Sequence, residues 1–396
     1  MIVLVVNLGS TSFKYKLFDM SRNESVLATG DADRIGQGGC TWTVKANHHD
    51  LSGKANLDDH SVAVDLHLDQ LIELGIINSI EDISAIGFKA VHGGSINRAV
   101  EVDQHVHDIM QQVSPLAPAH NPPYIAAMKS FQLSLPNAQQ VAAFETAFHQ
   151  TIPLARQIYA VPYVWYEKFG IKRYGFHGAS HAYIASRMQQ IDPKNRKIIN
   201  LHLGGSCSIC AIENGKSVAN SFGTTPQTGV FHNNRVGDFD PYAVLALKQQ
   251  GFTEKEIYHD LSKNGGLLGI SGISSDLRDV LQQAEHGHER SQLAVDAFVE
   301  SCRHYLGAYI LNLGGVDAIT FTAGIGQYSS YIRKLILKNL DFLNIHIDVN
   351  KNEQTHGQHE SRIDSPNSQT QLWVLPTNEE LIVARQTVQV LNKQTT

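Results

Sequence analysis

Cysteine, tryptophan and long apolar runs are all scarce in this chain of 396 residues, which holds 4 cysteines and 3 tryptophans. Cys40, Cys207, Cys210 and Cys302 are too few to form a disulfide scaffold in a chain this long. Cys207 and Cys210 have C-x-x-C spacing but fall in an apolar β-like run, where residues three apart point to opposite faces. They read as small apolar filler. No apolar run approaches the ~20 residues of a membrane span. The opening MIVLVVN has no basic stretch and too short an apolar run for a secretory signal, so the expected location is the cytoplasm. Positive charge is also lacking: a net charge of −6 argues against nucleic-acid and anionic-membrane partners. Hydrophobic content of 42% and charged content of 18% are ordinary for a globular protein, and the length allows two or three domains.

Several signatures are missing as well. There is no G-x-x-x-x-G-K-[ST] run, so this is not a P-loop enzyme. Gly324-Ile325-Gly326-Gln327 lacks the third glycine of a dinucleotide fingerprint. His177 and His181 are four apart, but no glutamate of an H-E-x-x-H motif lies between them. The runs His48-His49-Asp50 and His286-Gly287-His288, and the pair His356 and His359, have no partner at a metal-ligand spacing and read as solvated loops.

What is present is a pair of similar segments, VLVVNLGSTSFKYKLF (3–18) and IINLHLGGSCSICAIENG (198–215). Each is an apolar run, a Leu-Gly turn with small hydroxyl residues, and a second β-like run, which predicts a hairpin with a glycine-centred turn. Such a turn leaves backbone N–H groups and hydroxyls uncovered and suits a phosphate chain. Two copies about two hundred residues apart suggest a duplicated domain with a nucleotide between the halves. Elsewhere, apolar periodicity predicts helices over 60–76 and 293–315, each closed by glycine. Residues 84–94 read as a buried strand running into a glycine turn. Residues 115–123 are a proline-rich loop feeding a helix, with Pro122 and Pro123 in its first turn. A second buried strand carries Glu145 and His149 at its end, and Ser180 is a candidate helix cap. AITFTAGIGQYSSYI reads as strand, glycine turn and helix; 350–371 reads as an exposed polar loop. The loop FGTTPQTGVFHNNRVGDFDP is long enough to be functional. Near the end, Thr377 or Asn378 would cap a helix opening with Glu379-Glu380. Strands alternating with helices give an α/β fold.

In combination these motifs resemble the acetate kinase family (acetate and propionate kinases) of the actin/sugar-kinase/Hsp70 superfamily. The resemblance runs from Asn7 to about Arg385 through NLGSTSFK, VHGG, HNP, TAFHQT, YGFHG, NRVGDFDP, GISGISSDLRD, FTAGIG and PTNEEL, in the family's order. It implies two related actin-like (ribonuclease-H-like) domains with a nucleotide cleft between them, 1–147 and 148–380, and a C-terminal helix, 381–396, returning to the first. It implies transfer of the ATP γ-phosphate to a short carboxylate, reversibly, giving an acyl phosphate. Asn7, Ser10, Ser12 and Lys14 would form the first phosphate loop, with His202, Gly204 and Gly205 at the second. Asp276 and Arg278 would lie beside the adenine nucleotide, with Gly324 and Gly326 under it. Lys89, His120, Glu145, His177 and Arg235 would be catalytic, and Asn7 and Glu379 would serve Mg²⁺. Val91, Ala119, Phe176 and Pro226 would line the acyl pocket. The implied partners are a small carboxylate and ATP/ADP, with a homodimer as the assembly.

The chemistry sets a physical demand. A carboxylate must approach a polyanionic phosphoryl group, so fixed positive charge and Mg²⁺ have to cancel the repulsion. No general base is needed, because the nucleophile is already ionised at pH 7. Against that background this chain departs from the family. Phe88-Lys89 stands where His-Arg is usual, Glu145 where aspartate is usual, Gly205-Ser206 in the second loop where Asn-Gly is usual, and Gln327-Tyr328 where Glu-Asn is usual. Lysine cannot offer the two-pronged grip of arginine, so a longer acid opposite a slimmer cation forms a candidate compensated pair. Ala119 stands where leucine is usual and opens room for roughly three methylenes. Two alternatives stay open at this point: a kinase for a larger or substituted acid, and a nucleotide-binding regulatory protein with little transfer activity. His92 and His149 can equally be core histidines, and Arg98, Arg173 and Arg303 surface charges. Asp238 and Asp240 either orient Arg235 or cap the next helix.

Overall fold

Each glycine-centred hairpin seeds a sheet, and the two sheets repeat one strand pattern. A computed structural model of the chain describes residues 1–9, 11–46 and 49–393; Ser10 and His48 lie outside the described residues. The chain divides into two compact units, one of 1–148 with 378–396 and one of 149–377.

The first unit contains β1 (Ile2–Leu8), β2 (Ser12–Asp19), β3 (Ser25–Asp33), β4 (Cys40–Ala46), β5 (His49–Ala55), β6 (Ile83–Ala90), β7 (Val100–Glu101) and β8 (Gln139–Phe144). Their order in the sheet is β5-β4-β3-β2-β1-β6-β8-β7. β1, β2 and β3 are antiparallel, and β6 and β8 run parallel to β1. Val3 to Val6 are all buried, because β1 is covered on both faces and so reads as a continuous apolar run. Helix His60–Glu73 is capped by Asp59, and helix Asn121–Ser134 opens on Pro122 and Pro123. The last helix, Glu379–Asn392, packs on β1, β6 and β8. Gly87 lets it approach, since a Cβ there would lie 2.6 Å from Thr387 Oγ1. Asn378 caps that helix at Leu381 N (3.3 Å), and Glu379 and Glu380 sit in its first turn, where the helix dipole favours acids.

The second unit contains β9 (Lys197–Leu203), β10 (Cys207–Glu213), β11 (Lys216–Asn220), β12 (Ala318–Thr322), β13 (Ser361–Arg362) and β14 (Gln371–Val374), ordered β11-β10-β9-β12-β14-β13. β9, β10 and β11 are antiparallel, while β12 runs parallel to β9 and β14 to β12. The run β11-β10-β9-β12-β14 thus repeats β3-β2-β1-β6-β8, the actin-like plan in duplicate. Helix Glu289–Leu313 packs on β9 and β10 and ends at Gly314, at φ +62°. Cys207 and Cys210 are free and fully buried, and burial pushes each thiol up to about 12, so neither is a ready nucleophile.

Four local expectations are corrected. Ser180 does not cap its helix; its hydroxyl lies 2.8 Å from His202 Nδ1, inside Gly178–Ile191. After β12 there is no glycine turn, because helix Ala323–Tyr328 begins at once, with Ala323 at φ +64°. Segment 350–371 is only partly exposed, since Asn352, Ile363 and Asp364 are buried in it. His288 is no loop residue but the cap of helix Glu289–Leu313, accepting from Ser291 N.

Candidate active site

In the first unit the site residues gather at the carboxyl ends of the parallel strands, the edge where open α/β sheets bind ligands. Asn7 lies near the end of β1, Lys89 near the end of β6, and Glu145 follows β8 directly, its N–H donating to Ala90 O at 2.9 Å. The start of helix Glu379–Asn392 adds Glu379. Lys89 Nζ is 3.4 Å from Glu145 Oε1 and forms an ion pair with Glu379 Oε2. Lys89 is largely buried; burial opposes its charge, but the two carboxylates outweigh it and hold the ammonium well above the usual lysine range. The compensated pair expected for Lys89 and Glu145 is therefore a triad, and Glu379 is the member that sequence spacing does not reveal.

Tyr124, fully buried in the helix after the proline loop, accepts from Leu8 N at 3.0 Å and donates to Asn7 Oδ1 at 3.3 Å. It is a second group missed in the sequence, and it fixes the entry to the first glycine turn. That turn is closed by Gly9 N to Ser12 O at 2.9 Å, and a Cβ at Gly9 would fall 2.4 Å from Ser12 Oγ. Lys14 is exposed and shares a shallow cavity of about 370 Å³ with Asn7, Lys16 and Glu380; Lys16 pairs with Glu380 at 2.9 Å. His120 is half-buried at the start of helix Asn121–Ser134, Val91 is half-buried, and Ala119 is exposed.

In the second unit His177 occupies the left-handed region (φ 56°, ψ 33°) just ahead of helix Gly178–Ile191. A non-glycine residue held there costs of order 1–3 kcal/mol. Its ring stacks on His202, with centroids 4.0 Å apart, and its Nδ1 meets Ser208 Oγ at 2.8 Å. Phe176 is buried edge-on against Phe222. His149 is a structural core histidine: its rings nitrogens meet Ser217 Oγ and Phe176 O, and burial pushes it down to about 4.

The long loop 222–241 contains no helix or strand among the described residues and carries Arg235. Its guanidinium reaches Pro226 O at 3.2 Å and Ser206 Oγ at 3.4 Å, beside the second glycine turn. Arg235 is half-buried and makes no ion pair among the described residues. Asp238 does not orient it; that carboxylate accepts from Gly229 N and Tyr305 OH and so braces the loop. Asp240 accepts from Tyr242 N at the start of helix Tyr242–Gln249.

A groove of about 630 Å³ brings together Gly204, Gly205, Asp276, Arg278 and Gly324, with Asn233, Leu281, Ile325 and Tyr328 on its walls. Asp276 caps helix Leu277–Glu285 through Arg278 N at 2.9 Å and pairs with the Arg278 side chain, which lowers its carboxyl below the usual range. Gly326 does not line the groove: a Cβ there would press on Phe321 and Leu201 backbone. Beneath it the fully buried Arg333 donates to Gly326 O, Gln327 O, Asn352 Oδ1 and two further carbonyls, clamping the helix that bears Gly324. Arg303, likewise, is no solvated charge; it donates to Ile336 O and Lys338 O at 2.7 Å. No cluster of three or more metal-type ligands (His, Cys, Asp, Glu) occurs among the described residues, and no helix among them is long and apolar enough to cross a membrane.

Duplicated actin-like sheets, a glycine-lined groove and a half-buried arginine beside a glycine turn are the parts of a phosphotransferase site. Residues 2–385 match the acetokinase family, and the chain belongs to that family. It is 40% identical to acetate kinase of Bacillus cytotoxicus over 396 residues, covering 98% of this chain and 99% of that protein. Among solved structures it is similar to Porphyromonas gingivalis acetate kinase (36% identity, TM-score 0.91, 98% and 99% covered). It is also similar to a propionate kinase from Francisella tularensis (34% identity, TM-score 0.91, 98% and 99% covered).

Proposed function

We propose that the protein is a short-chain carboxylate kinase, moving the ATP γ-phosphate onto an acid of the acetate or propionate type to give an acyl phosphate, reversibly. The observation that carries this reading is Arg235. A half-buried guanidinium with no carboxylate partner among the described residues is costly unless an anion meets it. Its planar fork suits a carboxylate or a phosphoryl group. Lys89 is differently placed, because its charge is already matched by Glu145 and Glu379.

The roles follow from charge. The acid attacks as a carboxylate, so no residue has to remove a proton from it. Arg235 binds the anion, and His177 donates to an equatorial oxygen of the transferring group, where charge builds up in the transition state. The groove with Gly204, Gly205, Asp276, Arg278 and Gly324 takes the nucleotide, and Val91, Ala119, Phe176 and Pro226 take the acyl chain. Mg²⁺ is part of the proposal. Asn7, Glu145 and Glu379 offer the hard oxygen donors it prefers, so the residues fit the ion, with Asn7 and Glu379 as its holders. When bound it would neutralise phosphate charge. A homodimer in the cytoplasm completes the reading by family resemblance; a single-chain mass in sedimentation would contradict the dimer.

Phosphorus NMR of ATP and propionate with the protein tests the proposal. An acyl-phosphate resonance that is lost in Arg235→Ala is the expected result, and ADP appearing without that resonance would overturn it.

A further inference from the structure

Behind His177 a line of polar side chains runs into the second sheet, and its direction can be found by counting hydrogens. Ser208 Oγ on β10 lies 2.8 Å from His177 Nδ1 and 2.8 Å from His181 Nε2. His181 Nδ1 lies 2.8 Å from Asn200 Nδ2 on β9, and Asn200 Oδ1 lies 2.8 Å from Thr320 Oγ1 on β12. The sheet register sets this up, pairing Thr320 with Asn200. Ser208, His181, Asn200 and Thr320 are all fully buried, so a hydroxyl or ring hydrogen left without an acceptor there is costly.

Thr320 has one hydroxyl hydrogen, and its acceptor is the amide oxygen of Asn200. Turning the amide over would strand that hydrogen in the core, which is unfavourable. Asn200 therefore presents N–H to His181, and His181 Nδ1 carries no hydrogen. Burial, with His149 and His202 nearby, holds His181 well below the ordinary histidine range, so its ring is neutral and its one hydrogen is on Nε2. That hydrogen goes to Ser208 Oγ. The hydroxyl hydrogen of Ser208 is then left for His177 Nδ1, which must accept.

We propose that Thr320, Asn200, His181 and Ser208 form a one-way relay that fixes His177 as the neutral Nε2–H tautomer, so that it acts as a hydrogen-bond donor through Nε2. The four are positioning residues and touch no substrate. The functional meaning of the relay rests on the role proposed above for His177. An imidazolium at 177 needs a hydrogen on Nδ1, which would face the Ser208 hydrogen and require every bond back to Thr320 to reverse. The stacked His202 ring and the edge of Phe222 pack against the imidazole as well, and neither supplies a carboxylate to hold a charge there.

The test is long-range proton–nitrogen NMR of the full chain, with the His177 signals assigned by their loss in His177→Gln. At pH 7 the wild-type ring is expected to carry its hydrogen on Nε2 alone. Thr320→Val, remote and close in shape, frees Asn200 to turn over; an even mixture of tautomers and about a twofold fall in kcat follow, with KM for ATP unchanged. Ser208→Ala removes the donor to Nδ1, leaving a mixed ring and about a two- to tenfold loss of kcat. His181→Gln, whose amide can accept from Asn200 and donate to Ser208 in the same sense, keeps the Nε2–H form. A wild-type hydrogen on Nδ1, a wild-type imidazolium, or a ring unmoved by both Thr320→Val and Ser208→Ala would overturn the relay. The Nε2–H ring in a protein that phosphorylates no acid would uphold the relay and sink the functional reading. An active kinase with Nδ1–H would do the reverse.

Discussion

Replacing Lys89 by methionine removes a cation that both Glu145 and Glu379 contact, while keeping most of the side-chain volume. Lys89 and Glu145 are 17% and 6% exposed at their side chains, so water screens the pair weakly. Breaking a buried ion pair by deleting one partner costs about 3–5 kcal/mol, because the remaining charge stays buried. With two acids left, about 3 kcal/mol is a conservative expectation at pH 8, or about 6–12 °C in a unit of this size. The loss should shrink on acidification. Two carboxylates without their cation push one carboxyl up, and a raised folded-state pKa adds stability below it that is lost as pH rises through it. Melting curves of both proteins at pH 8 and pH 5 read the effect. Added Mg²⁺ should raise the melting temperature of Lys89→Met more than that of wild type. A gap under about 1 kcal/mol, or one equal at the two pH values, would refute the triad as a tightly coupled charge cluster.

Other outcomes follow from the same geometry. Glu145→Asp, in the natural Lys89 background, shortens the acid opposite Lys89 and should lower kcat/KM in steady-state assays; a gain would count against the compensated triad. His67 is buried among Phe13, Tyr15 and Trp42 with neither ring nitrogen hydrogen-bonded among the described residues, so His67→Phe should stabilise the first unit by about 1 kcal/mol in thermal melts. Burial pushes both His67 and His149 down to about 4, against an ordinary 6.5. The unfolded chain therefore takes up protons first as pH falls from 6.5 to 4. Stability should drop in that window by about 2 kcal/mol at pH 5 for each of these two histidines, and His67→Phe should lessen the slope without abolishing it, because burial holds His149, His181 and His232 down as well. On the proposed acyl-pocket role of Ala119, which stands where the family usually has leucine, propionate or butyrate should be used at least as well as acetate, and Ala119→Leu should restore a preference for acetate. Strict acetate use by the unchanged protein would refute that.

Much of the fold could be read in the sequence because it is written twice. The two Leu-Gly hairpins and the apolar runs of β6, β8, β12 and β14 are local signals, and buried parallel strands have few ways to pair. The candidate site residues Arg235, His177, Lys89 and Glu145 came from the family resemblance, and the structure adds the contact between Lys89 and Glu145. What stayed hidden depends on register and distance. Glu379 reaches Lys89 from 290 positions away in sequence, as the residue numbers show, and only the docking of the last helix on β6 brings them together. Asn200 and Thr320 look like ordinary strand residues until the β9–β12 register sets them side by side. Ser180 was misread for the opposite reason: a local capping signal lost to a buried partner, His202.

A hydroxamate assay with ATP, Mg²⁺ and straight-chain acids from formate to valerate tests the central claim most directly. Iron-coloured acyl hydroxamate peaking at a two- to four-carbon acid, and abolished in Arg235→Ala, is the expected result. No colour with any acid, from a protein that still binds ATP, would contradict it.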